Sequence, residues 1–186
     1  MSTRTNVILV SPGAHIKQYY RHHDGYFEGT GTDLIRKLST AFNNDCLTHL
    51  INHDATDRQK VIDDVEKLNQ TPCLPEWEQL PFTFPHSFYD WFLIEMSEDW
   101  RLSGNKESWD ANHYEPEEPF HLHGDIEWIY FVDFNCLSGS EARLYYAHLG
   151  IGSEIRDKYC NDFSSMYNYI KLNGYNPVTF KRTPVI

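Results

Sequence analysis

Apolar positions along the chain fall into two periods, one suited to strands and one to helices. Thr5 to Val10 is a β-branched apolar run bounded by Ser11-Pro12-Gly13, and His15 to His22 follows with mixed alternation. Together they predict a β-hairpin turning through Ser11 to Ala14. After an Asp24-Gly25 turn signal, Thr32 is placed to cap a helix with Asp33 in its first turn. Leu34, Ile35, Leu38 and Phe42 form that helix's apolar face, and Asn43-Asn44 ends it. Leu47 to Ile51 predicts a further turn of helix. Asp57 to Gln70 predicts a second long helix, because Val61, Ile62, Val65 and Leu68 recur at i, i+1, i+4 and i+7 with charges opposite.

Thr71 to Pro85 carries Pro72, Pro75, Pro81 and Pro85 together with Trp77, Phe82 and Phe84. Each proline removes an amide donor and restricts its predecessor, so the segment predicts an ordered loop pinned by aromatics. His86 to Glu98 fits strand or helix; Phe88, Tyr89, Trp91 and Phe92 favour strand. Residues 100–119 predict a long acidic loop. Ile126 to Phe134 predicts a strand, Leu137 to Ser140 a turn, and Ala142 to Leu149 its partner strand. Asn161 is placed to cap a last helix closed by Gly174, with an extended tail from Tyr175. Hairpins and helices are segregated along the chain. The predicted fold is a single α+β domain over residues 1–186, its largely antiparallel sheet built from hairpins with helices packed on one face.

The chain's 40% hydrophobic content excludes a disordered chain, and 15% aromatic content predicts an aromatic-rich core or binding surface. The net charge is −11, from 27 acidic and 16 basic side chains. That balance argues against non-specific nucleic-acid binding, whose affinity comes from Lys and Arg clusters on phosphates. It suits a partner with a basic surface, or serves solubility alone. Cys46, Cys73, Cys136 and Cys160 form no C-x-x-C pair and predict reduced thiols. The N-terminus lacks a signal-peptide apolar core, and no window approaches the roughly 18 apolar residues of a membrane span. A soluble, cytoplasmic protein with no membrane association is expected.

The densest chemistry lies in Tyr19 to Asp33, Y-Y-R-H-H-D-G-Y-F-E-G-T-G-T-D. If the strand runs to His23, Tyr19, Arg21 and His23 share one face, and Tyr20 and His22 the other. Arg21 offers a planar fork suited to carboxylate or phosphate. Gly29, Thr30, Gly31 and Thr32 precede a helix start, where free amides attract anions. With Arg4, His22, His23, Asp24 and Tyr26, they form a candidate site for a nucleotide-like anion, Tyr26 stacking on a base. The same residues also have structural jobs: a tight turn at Asp24-Gly25, a cap at Thr32, and pairing of Arg21 with Asp24 or Glu28. The spacing of a phosphate-binding P-loop is absent. In a strand, His121, His123 and Asp125 would project to one side and could ligate a divalent metal. Pro119 and Gly124 would defeat that alternation. No cofactor is otherwise expected. The nucleophile motifs G-x-S-x-G, H-E-x-x-H and C-x-x-C are missing.

The opening M-S-T-R-T and the later Y-R-H-H-D-G-Y-F-E-G-T-G-T-D-L resemble an uncharacterised family of phage and prophage proteins. Its members start M-G-T-R-S and carry Y-R-x-x-D-G-Y-P-x-G-x-G. Thr3, Arg4, Tyr20, Arg21, Asp24, Gly25, Tyr26, Gly29 and Gly31 match; Ser2 and Phe27 depart from the pattern. His123 to Asp133, H-G-D-I-E-W-I-Y-F-V-D, is similar to the family's G-D-I-E-Y-x-Y-x-I-D strand. The resemblance implies a viral or mobile-element setting, hence a host cytoplasm, and assigns no catalytic residue. The leading expectation is a non-enzymatic phage-type accessory protein. It would bind and inhibit a basic host factor, such as a defence-system component, through an acidic surface. The alternative is binding or hydrolysis of a nucleotide-like anion at the Arg21/Gly29–Thr32 junction.

Overall fold

The computed structural model describes residues 3–10, 15–43, 58–70, 115–117, 119–134 and 141–181. Six strands form one sheet: β1 (Thr5–Val10), β2 (His15–Arg21), β3 (Glu115–Glu117), β4 (Trp128–Asp133), β5 (Glu141–His148) and β6 (Val178–Lys181), in the order β3-β2-β1-β4-β5-β6. The helices are α1 (Thr32–Asn43), α2 (Arg58–Asn69), α3 (Glu154–Tyr159) and α4 (Phe163–Asn173), with a wider π-helical turn (Phe27–Gly31) leading into α1. The predicted hairpin pairings β1–β2 and β4–β5 are present, and the α+β class holds. The expected turn at Ser11 to Ala14, helical turn at Leu47 to Ile51, loop 71–85, strand at His86 to Glu98 and turn at Leu137 to Ser140 lie outside the described residues. So does most of the 100–119 loop, whose end contributes β3.

Neighbouring strands are antiparallel except β1 and β4, which run parallel from Thr5↔Trp128 to Val10↔Asp133. These two central strands are apolar at both alternating positions, as strands covered on both faces are. Val7 and Leu9 pack with Tyr130 and Val132 against Leu34, Ile35 and Leu38 of α1 and Val61 and Val65 of α2. Ile8 and Val10 pack with Ile129 and Phe131 against Met166, Tyr167 and Ile170 of α4. Helices therefore cover both faces, which corrects the one-face expectation. An open face would leave Ile8, Val10, Ile129 and Phe131 in water.

The helix ends also differ from the sequence reading. Asp162, not Asn161, caps α4, its Oδ1 accepting from the Ser165 amide at 3.0 Å. Ser153 caps the short α3, which the pattern did not predict. Thr32 does not cap α1. It is itself helical, and its hydroxyl donates back to the Glu28 and Gly29 carbonyls at 2.6 and 3.0 Å.

Side-chain amides extend the sheet where backbone partners stop. Asn69 donates to the Thr179 carbonyl at 2.6 Å and accepts from the Lys181 amide at 2.9 Å, pairing β6 as a neighbouring strand would. Gln18 does the same for His121, donating to its carbonyl at 2.6 Å and accepting from its amide at 3.4 Å. Asn6 accepts from the His123 amide at 3.2 Å and donates to the Tyr19 carbonyl at 3.3 Å. Two buried amides thus hold the irregular 121–123 segment against β1 and β2. Each would be costly to leave unsatisfied inside the core.

Candidate functional site at one end of the sheet

Because β1 and β4 are parallel and their partners β2 and β5 run oppositely, the starts of β1 and β4 and the ends of β2 and β5 share one end of the sheet. The residues singled out from sequence in the Arg4–Thr32 stretch and at His123 and Asp125 are gathered there. The sheet divides them. β2 ends at Arg21, so the expected alternation stops there. Tyr19 and Arg21 face the α1/α2 side, and Tyr20 faces the α4 side.

On the first side, Arg21 is 7% exposed. Its Nη1 lies 3.2 Å from Thr30 Oγ1 and 3.4 Å from Asp33 Oδ2, so its pairing differs from the expected Asp24 or Glu28. Lys37 shares the same carboxylate at 3.2 Å. Asp24 adopts the left-handed backbone region at φ 54°, which Asp tolerates better than most residues. Its carbonyl accepts from the Thr30 amide and the Thr30 hydroxyl, both at 2.8 Å. A Cβ on Gly29 would come within 2.4 Å of that carbonyl oxygen, and one on Gly31 within 2.7 Å of the Phe27 ring. The Gly29 amide donates to the Tyr26 carbonyl and the Thr32 amide to the Gly29 and Phe27 carbonyls. An anion at this junction would therefore compete with internal acceptors for those amides. Tyr26 is 38% exposed, and its hydroxyl donates to Asp24 Oδ1 at 3.0 Å. That hydrogen bond, with burial and the nearby carboxylates, raises its pKa. Gly25 lets the backbone before β1 approach this turn, since a Cβ there would come within 2.8 Å of Arg4 and 2.9 Å of Thr3; its amide donates to the Thr3 carbonyl at 2.8 Å, and Tyr130 donates to its carbonyl at 2.9 Å.

On the other side a histidine cluster forms. His123 stacks on Tyr20 with ring centroids 4.2 Å apart, and the Tyr20 hydroxyl meets His22 Nδ1 at 3.2 Å. His23 packs edge-on against His22 at 4.6 Å. Arg4 Nη1 pairs with Asp125 Oδ2 at 3.1 Å. Burial, followed by the positive fields of Arg4 and His23, holds the His22 pKa below its ordinary value against the opposing pull of Asp125. Arg4 and Asp125, nominated for different chemistry, are one ion pair.

The three nominated metal ligands do not gather. Residues 119–127 form no strand and bend at Gly124 and Asp125, so the alternation that would align them is missing. His121 turns to Asn161 Oδ1 at 2.5 Å, His123 lies on Tyr20, and Asp125 is paired with Arg4. Among the described residues, no group of three or more His, Cys, Asp or Glu side chains is placed to hold a metal ion. Sequence reasoning missed the organising roles of Asn6 and Gln18, whose partners in the 121–123 segment lie more than a hundred residues away. No helix of the described residues is long and apolar enough to cross a membrane. No protein-family model, curated protein or solved structure matches the chain.

Proposed function

We propose that this chain is a non-enzymatic accessory protein of phage type that binds and inhibits a basic host protein, such as a defence-system component, through an acidic surface. One observation carries the reading: the segment richest in reactive groups is engaged in its own structure. Arg21 is buried on Thr30 and Asp33, and the Gly29, Thr30 and Thr32 amides donate within the turn. The net charge of −11 then remains as the property offered to a partner, and it favours one of opposite sign. The Y-R-x-x-D-G-Y pattern supports the phage setting.

The test has two arms. Immobilised chain is offered bacterial lysate while salt rises from about 0.1 M to about 1 M, which shortens the screening length from about 10 Å to about 3 Å. A basic protein should be retained at low salt and released at high salt. The chain is then expressed in bacteria carrying single defence systems and challenged with phage; at least one system should lose protection. No basic partner and unchanged protection throughout the panel would sink the reading.

The Arg4–His22–His23 cluster favours a second reading, binding or hydrolysis of a nucleotide-like anion at that end of the sheet. Arg4 and the ring N–H groups would be its donors, displacing Asp125 from Arg4. Thermal-shift screening against nucleotides tests it: a bound ligand raises the melting temperature, and no response from any nucleotide excludes it.

A further inference from the structure

Arg58, the first residue of α2, reaches into an array of aromatic rings on the α1/α2 side of the sheet. Its guanidinium carbon lies 4.6 Å from the Tyr175 ring centroid, 5.0 Å from Phe27 and 5.5 Å from Trp128. Trp128 and Tyr146 flank Tyr175 at 6.0 and 5.1 Å with nearly parallel planes, 10° and 19° apart. Glu28 stands at the rim, its Oε1 3.9 Å from Arg58 Nη2. That is beyond hydrogen-bonding distance, and Arg58 Nε is buried with no hydrogen-bond partner. Ring faces and the Tyr175 side chain together hold the cation, with a carboxylate to balance its charge.

The walls and the occupant have separate origins. Trp128 comes from β4, Tyr146 from β5, Tyr175 from the segment after α4, and Phe27 and Glu28 from the π-helical turn. Only the cation comes from α2. That helix has other anchors, with Val61 and Val65 in the core and Asn69 on β6. The mouth is open to water: Tyr175 is 43% exposed, and the Arg58 and Glu28 side chains are 30% and 33% exposed.

The geometry points to a binding site for a guanidinium group, filled by Arg58 in the free protein and open to an arginine of a basic partner. A planar, weakly hydrated guanidinium stacks on ring faces; a compact, strongly hydrated lysine ammonium would surrender more water there. The partner half of this inference rests on the basic-partner reading above, and the site itself does not. Arg58 competes from within the chain at an effective concentration on the order of millimolar, so a free ligand binds the native protein weakly.

Chemical rescue tests the site. The Arg58→Ala chain should melt below the native protein and regain stability with N-ethylguanidinium, its apparent affinity at least about tenfold above that of the native chain. N-ethylammonium and sodium chloride at equal ionic strength should not restore it. Equal responses to all three salts in a folded Arg58→Ala chain overturn the site, as does an equal rescue of native and variant chains. Stronger rescue by tetramethylammonium overturns the guanidinium assignment. If Arg58→Ala does not fold, Arg58→Gln takes its place under the same criteria. Arg58→Ala should also retain a captured basic partner more tightly than the native chain does. Rescue without tighter capture overturns the partner half alone. Absence of any basic partner, with rescue intact, overturns the accessory-protein reading and leaves the site standing.

Discussion

Gly29 and Gly124 lie at opposite extremes of crowding. A methyl group at Gly29 would sit 2.4 Å from the Asp24 carbonyl oxygen and 2.8 Å from its Cβ, whereas one at Gly124 would meet nothing within 4 Å. Overpacking of the first kind typically costs about 1–3 kcal/mol, and an open surface change stays within about 0.5 kcal/mol. Gly29→Ala should therefore lower the urea midpoint clearly and Gly124→Ala barely. Equal effects would remove the turn's steric basis. His22 sets a pH dependence. Its pKa is lowered in the folded protein by burial, then by Arg4 and His23. As pH falls below the ordinary value of 6.5, the unfolded chain takes up a proton that the folded chain resists. The stability associated with His22 is thus present above that pH and lost below it. Urea midpoints measured from about pH 8 to about pH 5 should fall on acidification, and His22→Gln should flatten the fall. Identical profiles would show that the His22 pKa is not lowered by folding.

At the level of elements, Asn69 pairs with β6 where, among the described residues, no strand does. Its amide satisfies the Thr179 carbonyl and the Lys181 amide on that strand edge. Asn69→Ala should cost about 1–2 kcal/mol for two lost hydrogen bonds. It should also raise aggregation at high protein concentration, followed by light scattering during storage. An unchanged scattering curve would mean that α2 itself, not the amide, guards the edge. The strands β1, β2, β4 and β5 and the helices α1, α2 and α4 were legible in the sequence, because each repeats its period long enough to register. The six-residue α3 was not, since it spans less than two turns and its only pattern signal was Ser153. The parallel pairing of β1 with β4 was not legible either, because an apolar run does not carry strand direction. The Tyr19–Asp33 segment was correctly read as a strand–turn–helix junction. Alternation gave its division into two environments as far as Arg21, but His23, expected beside Tyr19 and Arg21, packs against His22 because the strand has already ended. Alternation did not give the partners of Arg4 and Tyr20, because Asp125 and His123 arrive from a hundred residues downstream.

In the whole molecule, the centre of the sheet joins its most distant parts. Thr5 meets Trp128 across 123 residues of chain, and the β1–β4 ladder continues from there through six residue pairs. Both hydrophobic layers include residues from both strands. Neither layer can close until β4 arrives, and the loop that must be closed first is long. Folding is accordingly a late event. A chain emerging from the ribosome carries β1 and β2 without the β4 side of either layer until residues near 133 are free. Two-stranded hairpins are marginal alone in water. A fragment ending at Phe120 should show no cooperative thermal transition by circular dichroism, and the full chain should refold in milliseconds to seconds, not microseconds. A sharp transition in the fragment would show that the N-terminal half folds without β4.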